Sequence, residues 1–569
     1  MTRRSTWIAF ASMSVAALMV ASLAGPIAAQ EAPPDAGPLT EYPNYGGEVD
    51  CEAGTFNGSE YGGQIKKITA TDDQTVVFEL CAPDPAFEAK IAFSAFAIND
   101  TDYLMSHLPD GSIVEQPNGT GPDKLADWRR GDQIIFERNE DYWGEPAKGQ
   151  TAVLRWSSEP GQKFIELQSG AVDGIDNVQP DDVAAIEGNP DLQLIPREGF
   201  NVFYVGLNRD HPPFGNLKVR QAFAMGIDRQ ALMDQFYPEG SEVASHFVPC
   251  STPFACEGEA WYEYDAEGAR ALLEEGLAEE GMDALDISIS YRVVDRAYLP
   301  LPDQVALAIA DQLETNLGIT ATTEEQESTT FIDNTNAGTE DVFLLGWNGD
   351  FPDVTNFLDF HFGAAAQARF GAIYQEVAGP LGVGSSSTDD ETRRAAYEEA
   401  NTAIKQNVPM VPIVHAGSAT AWQAGLEGAH SSPLANEELA VVDPGEDGTL
   451  VFMQSAEPGG LYCSDESDGE SLRVCEQVLQ SLYAYETGGA TPVPSLSTGC
   501  EPNEEGSVWT CAIREGVAFH DGSTLDAGDV VMSYAVIWDA AHPLHVGRLG
   551  DFSYWGLWGG HLNPPPAAE

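Results

Sequence analysis

Basic residues are scarce in this chain. Lys and Arg together number 27 against 90 Asp and Glu, and only eight of the 27 are Lys, leaving a formal net charge of -63. A field of that sign excludes nucleic acid and anionic membrane surfaces as partners and draws in cationic solutes. The acids run along the whole chain with no single acidic tail, as a solvated surface adapted to salt requires. No Cys-x-x-Cys occurs, and no His stands at ligand spacing to the cysteines, which argues against a structural zinc site. Also missing are a Gly-x-Ser-x-Gly elbow, a His-Glu-x-x-His helix and a phosphate loop, so the common exported hydrolases find no support. The acids are too many for any two to stand out as a glycosidase pair. After the N-terminus no stretch is apolar for the ~20 residues of a membrane span, and no unit repeats at a fixed period.

What the chain does contain is length and apolar content. Its 569 residues exceed one single-core domain, and 43% hydrophobic residues, including 11 Trp, 18 Tyr and 25 Phe, suffice for packed cores. Residues 1–29 read as a signal peptide: Arg3 and Arg4 precede an apolar run from Trp7 to Leu23, and Ile27-Ala28-Ala29 offers a cleavage site before Gln30. The first cysteine, Cys51, lies far from that site, so no lipid-attachment box is present. Eight cysteines in an exported chain point to disulfides. They fall as neighbours, and the expected pairs are Cys51 with Cys81, Cys250 with Cys256, Cys463 with Cys475 and Cys500 with Cys511.

Residues 30–62, rich in Gly, Pro and acids, read as an irregular segment or tether. Strand patterns follow at 65–80, 134–138, 152–156, 200–207, 319–323, 342–347, 409–415 and 449–454. Helical patterns occupy 86–98, 163–169, 181–187, 217–232, 304–317, 391–404 and 471–482. Residues 443–448, Asp-Pro-Gly-Glu-Asp-Gly, have linker composition. Strands alternating with helices of this length indicate an α/β architecture with mixed sheets.

Several stretches resemble one family when taken jointly. Residues 508–534 (VWTCAIREGVAFHDGSTLDAGDVVMSY) are the most recognisable. Residues 471–485 (SLRVCEQVLQSLYAY), Pro494-Ser495-Leu496, the Gly-Thr-Gly-Pro turn leading to Tyr142-Trp143-Gly144, VRQAFAMGID at 219–228 and LGWNGDFPDVTNF at 345–357 add to it. The chain resembles the family 5 solute-binding proteins of ABC transporters, the dipeptide- and oligopeptide-binding type. The order departs from that family: its opening segment lies last here. The two stretches add up to about one complete member with nothing repeated, which favours circular permutation over a truncated copy fused to a second. Termini that lie close on a surface allow such rejoining.

The resemblance implies a two-lobed periplasmic-binding-protein-like fold, α/β, with an extra smaller domain. Residues 63–150 plus 483–563 are expected to form the small domain, 151–210 plus 420–482 the first lobe (with the joining linker at 441–448) and 211–419 the second. It implies capture of a peptide between closing lobes, delivery to permease subunits of an ABC importer, an exported monomer at the outer face of the cytoplasmic membrane, and no catalysis and no cofactor. A metal chelate or other small solute, and a sensor role, are the alternatives. Asp350, three residues after Trp347, matches the Asp that holds the peptide amine, and Arg296 in Asp-Arg-Ala-Tyr matches the Arg that grips the carboxylate. Trp347 could pack on a ligand side chain, and Asp353 is a second acid candidate. Gly460, Leu461 and Tyr462 resemble the first-strand loop that touches ligand. His520-Asp521 reads as a structural turn and His361 as a packed histidine.

Overall fold

The strand-forming segments fall into three sheets and two small ribbons. A computed structural model describes residues 40–564, apart from 46, 158, 293–295, 365 and 551. The expected signal peptide and cleavage site lie outside the described residues.

The five-stranded sheet runs Glu41–Tyr42, Ile65–Asp72, Thr75–Leu80, Val508–Ile513, Ser497–Pro502. Its hydrophobic alternation is clear in Thr75–Leu80, where Val76, Phe78 and Leu80 face inward. The stretch expected as one strand at 65–80 is a hairpin, because Asp73 and Gln74 make a turn held by the Asp72 carboxylate accepting the Gln74 N–H at 2.9 Å. Residues from the far end of the chain complete this sheet: Cys511 pairs with Val76 and Val508 with Glu79.

The seven-stranded sheet runs Leu192–Arg197, Ser418–Gln423, Gly174–Ile175, Thr449–Gln454, Thr151–Trp156, Gln133–Arg138, Asp123–Arg129. Thr449–Gln454, which follows the linker, lies parallel to both its neighbours inside the sheet. The six-stranded sheet runs Glu242–Val243, Met410–His415, Asn201–Leu207, Val342–Asn348, Asp286–Arg292, Thr320–Gln326. Asn201–Leu207 is buried along its whole length, as an apolar run covered on both faces must be.

One apolar core underlies the five- and seven-stranded sheets and a second surrounds the six-stranded sheet. The first is centred on the helix Ala527–Trp538, all twelve residues of which are buried. Asp526 and Asp529 close a capping box at its start, and Asp529 also accepts the Thr101 N–H at 2.9 Å and hydroxyl at 2.8 Å.

Several expectations need correction. The helix expected over 217–232 is two, Leu217–Gly226 and Arg229–Phe236; Ile227 turns extended and Asp228 caps the second by accepting the Ala231 N–H at 3.0 Å. The helix expected to Leu482 stops at Val478, whose carbonyl accepts the Gly121 N–H at 2.9 Å. The segment expected as an irregular tether is anchored from residue 41 onward: Glu41–Tyr42 pairs with Ile68 and Thr69, and Tyr42, Val49 and Phe56 are buried. Two domain limits also fall elsewhere by hydrogen bonding. Residues 123–138 pair within the seven-stranded sheet, not with the five-stranded one, and Asn201–Leu207 pairs with Val342–Asn348 and Met410–His415. All four expected disulfides are present: Cys51–Cys81, Cys250–Cys256, Cys463–Cys475 and Cys500–Cys511. Cys51–Cys81 ties a turn to the residue after the strand Thr75–Leu80, and Cys500–Cys511 bridges a directly paired position of two strands of the five-stranded sheet.

Candidate functional site

Two chain crossings connect the large sheets, and the candidate loop sits beside them. Leu192–Arg197 and Ser418–Gln423 pair in one sheet, and their continuations, Asn201–Leu207 and Met410–His415, pair in the other. At the crossing Asn201 donates to the Ala416 carbonyl at 2.8 Å and accepts the Ala416 N–H at 2.9 Å, and His415 Nδ1 meets the Asn201 carbonyl at 2.6 Å. Gly199 passes so near Ala416 that a Cβ there would lie 2.5 Å from its carbonyl oxygen. Only glycine permits that approach.

Val342–Asn348 ends at this crossing, where the Gly349 N–H donates to the Phe200 carbonyl at 2.9 Å. Asp350 follows, half-buried. Asn356, from the helix Val354–Phe362, fixes the loop with both ends of its amide. Its Oδ1 accepts the Asp350 N–H and the Trp347 indole N–H, each at 3.0 Å, and its Nδ2 donates to Asp350 Oδ2 at 3.0 Å. The Tyr554 hydroxyl, from the far end of the chain, faces the same carboxylate. Burial pushes the Asp350 carboxyl up to about 6, against the lowering by Asn356 and Tyr554. No ion pair engages Asp350 among the described residues. The next residue, Phe351, is 1% exposed and belongs to the core beneath the other two sheets, so this loop reaches across from the six-stranded sheet.

The other expected site residues take different positions. Trp347 is half-buried and stacked on Phe360 at 4.2 Å, leaving part of its surface open. Asp353 serves the scaffold. It caps its helix by accepting the Thr355 N–H at 3.0 Å and hydroxyl at 2.8 Å, and its second oxygen pairs with Arg393 at 2.8 Å. Leu461 and Tyr462 are 1% and 2% exposed in the core, and Gly460 is backed by Val114 and Glu466. Arg296 is exposed, in a turn closed by the Leu299 N–H donating to its carbonyl at 2.9 Å. Tyr298 packs over Gly346, which places this turn along Val342–Asn348. His520 meets the Gly121 carbonyl at 3.1 Å and Asp521 N–H donates to Asn118, joining two turns far apart in sequence. His361 is buried, its Nδ1 bound to the Phe357 carbonyl at 2.7 Å.

Sequence reasoning did not find Asn356 and Tyr554. Asn356 had a usable signal, since an Asn early in a helix that follows a Gly-Asp loop is placed to bond that loop. Nor did it find a buried ion cluster. Arg197 and Arg473 share Asp176 and Glu437: Arg197 meets Asp176 Oδ1 at 2.8 Å and also pairs with Glu437. Arg473 meets Asp176 Oδ2 at 2.8 Å and Glu437 Oε2 at 3.1 Å. Lys163 donates to the Asp176 carbonyl at 2.8 Å. Burial alone would raise both carboxyls, but the two guanidiniums hold them below the usual range.

A mixed α/β body with two chain crossings, and a carboxylate-bearing loop between its sheets, defines a binding protein of the periplasmic type. The chain belongs to the Bacterial extracellular solute-binding proteins, family 5 Middle, whose description matches residues 30–369 and 491–551. It is similar to Di/tripeptide-binding protein 1 of Pseudomonas aeruginosa UCBPP-PA14, 28% identical over 368 residues, 62% of this chain and 66% of that protein. Heme-binding protein A of Haemophilus influenzae is 26% identical over 388 residues, 66% of this chain and 70% of that protein. Among solved structures, the dipeptide binding protein from Pseudoalteromonas sp. SM9913 in complex with Met-Leu aligns with a TM-score of 0.58 at 25% identity, covering 67% of this chain and 76% of that one. The chain spans about two thirds of the length of the first of these relatives. Among the described residues no helix is long and apolar enough to cross a membrane.

Proposed function

We propose that this protein is an exported, non-catalytic binding protein of an ABC importer, which captures a small peptide between two lobes and passes it to permease subunits in the membrane. The observation that carries this reading is Asp350: an unpaired carboxylate on a loop held rigid by Asn356, beside the crossing of the two large sheets. A peptide ammonium entering there replaces lost hydration with a charge-assisted hydrogen bond. The six-stranded sheet and its helices form one lobe and the seven-stranded sheet the other, with the five-stranded sheet as the smaller domain. Residues 198–200 and 416–417 act as the hinge. Arg296, in the turn along the same strand, is assigned to the peptide carboxylate, and Trp347 to a side chain.

Calorimetry with free and N-acetylated dipeptides tests this directly. Free dipeptides are expected to bind at least 100-fold more tightly than their acetylated forms. Tight binding of heme or a nickel chelate, with no peptide affinity, would instead support the reading suggested by the heme-binding relative.

The same reading holds that the chain is circularly permuted. Its support is the adjacency of the far ends: the Gln64 N–H donates to the Trp558 carbonyl at 2.6 Å, and Gly559 lies against Gly62. A chain rebuilt to begin at Thr449, with 564 joined to 40 by a short linker and ending at 443, keeps the anchored segment and the Cys51–Cys81 disulfide and should therefore fold and bind the same peptides within threefold. Failure of that chain to give a cooperative melt would count against permutation.

A further inference from the structure

Beside the six-stranded sheet lies a set of metal-type donors. Among the described residues, His246, Cys250 and Cys256 bring one ring nitrogen and two sulfurs within 4.8 Å of one another. The expectation that no His stands at ligand spacing to the cysteines is corrected here: His246 precedes Cys250 by four residues, and its ring folds onto the pair. His246 is 7% exposed. Ser245 Oγ stands 3.1 Å from its Nδ1 and 3.6 Å from Cys250 Sγ. In the structure the two sulfurs are joined as a disulfide. The thiolates a metal requires therefore exist only after reduction.

Of the four disulfides, this one is the most open to a reductant. Cys250 is exposed, whereas Cys463, Cys475, Cys500 and Cys511 are buried and Cys51 and Cys81 are half-buried. Exchange requires a thiolate to approach a disulfide sulfur, so access governs the order of reduction. The loop it closes is also the shortest, with the cysteines six apart in sequence, so it constrains the unfolded chain least. Other bonds hold the backbone around it. The Ala244 N–H donates to the Ile413 carbonyl at 3.1 Å, and the Trp261 N–H to the Ser245 carbonyl at 2.8 Å. Asn401 Nδ2 donates to the Ala255 carbonyl at 3.1 Å, and the Glu259 N–H to the Thr402 hydroxyl at 3.3 Å. Opening the sulfur–sulfur bond thus leaves His246 and both cysteines side by side.

We propose that reduction of Cys250–Cys256 creates a site for a thiophilic metal ion of the Zn2+ type, held by the two thiolates and the His246 ring. A dithiol supplies the electrons. Its first thiolate attacks Cys250 Sγ, and Cys256 leaves as a thiolate. Its second thiol then attacks the reductant sulfur of the mixed disulfide and releases Cys250. The dithiol ends as a disulfide, the protein gains two electrons and two protons, and the metal displaces those protons to solvent. Two thiolates and an imidazole suit Zn2+, at about 2.3 Å to sulfur and about 2.0 Å to nitrogen, and leave one tetrahedral position open. Peptide capture at Asp350 plays no part in this site.

The test begins with limited reduction of the intact protein by a dithiol, removal of the reductant, and alkylation followed by peptide mapping. Cys250 and Cys256 are expected to be labelled at least tenfold more than the other cysteines. Reduced, unalkylated protein should bind one equivalent of Zn2+ in competition with a chromophoric chelator, at least 100-fold more tightly than the oxidised protein. Co2+ in its place should give a thiolate-to-metal charge-transfer band. His246→Ala should weaken Zn2+ at least tenfold while leaving the labelling pattern unchanged, and Cys250→Ser combined with Cys256→Ser should abolish binding. If that double variant folds poorly, native protein reduced and alkylated at both cysteines should fail to bind in the same way. Equal Zn2+ affinity in oxidised and reduced protein would overturn the proposal. So would equal affinity in the native and His246→Ala proteins, or the opening of another disulfide before this one.

Discussion

Asp350→Asn leaves a folded protein whose affinity for free-amine dipeptides falls at least 100-fold at pH 7. The change is isosteric and keeps the backbone hydrogen bond from residue 350 to Asn356. What it removes is the only charge the loop offers an ammonium. Truncating one partner of a buried charge pair costs roughly 2–5 kcal/mol, and each 1.4 kcal/mol is about tenfold in affinity. The pH profile gives a second readout. The Asp350 carboxyl sits at about 6 because burial raises it, so it is largely ionised at pH 7 and largely protonated at pH 5. The peptide amine, near 8 in water, stays charged throughout that interval. Affinity in the native protein should thus decline roughly tenfold per pH unit below 6, while the Asn variant shows no such slope. Unaltered affinity in the variant for both free and acetylated peptides would remove Asp350 from the site.

Glu437→Ala is expected to destabilise the fold by about 3–5 kcal/mol, measured by urea unfolding. Glu437 is fully buried between Arg197 and Arg473, and its loss leaves two guanidiniums and Lys163 around Asp176 alone. It also frees the Ser432 N–H, which Glu437 accepts at 3.1 Å. Glu140→Ala is the control. Its Arg138 pair at 2.9 Å involves a Glu side chain 67% exposed, and exposed pairs contribute about 0–1 kcal/mol. The cluster also sets an acid limit. Asp176 and Glu437 titrate lower folded than unfolded, so the stability they contribute is present above the ordinary carboxylate range and is lost as pH falls below that range through their lowered folded values. A Glu437→Ala variant as stable as the native protein would show that the cluster does not join the segments on either side of the linker.

Local chemistry was legible wherever neighbours in sequence decide it. The Val76, Phe78 and Leu80 alternation marks a strand, cysteines six to thirty apart in sequence find each other, and Trp347 to Asp350 reads as a loop after a strand. The strands Asp286–Arg292 and Ser418–Gln423 were missed. Asp286–Arg292 did carry a signal, the alternation of Ile287, Ile289 and Tyr291 with polar residues, whereas Ser418–Gln423 mixes Thr420 and Trp422 with Ser and Ala and is held extended by its sheet partners. Asp353 illustrates a different miss. Its carboxylate is indistinguishable from that of Asp350 in sequence, but Arg393, forty residues on, claims it.

By itself the sequence determined the class of fold, the family, the acidic surface, the disulfides and the loop that bears Asp350, because each rests on composition or on contacts within a few dozen residues. Tertiary structure alone decided which acids remain available to a solute. Glu437 and Asp176 are neutralised by arginines on other elements, whereas Asp350 meets the Asn356 amide and the Tyr554 hydroxyl. The reason is physical: a carboxylate's worth to a ligand depends on the charges folding brings beside it, and those come from other elements, 21 to 297 residues away for Asp176 and Glu437.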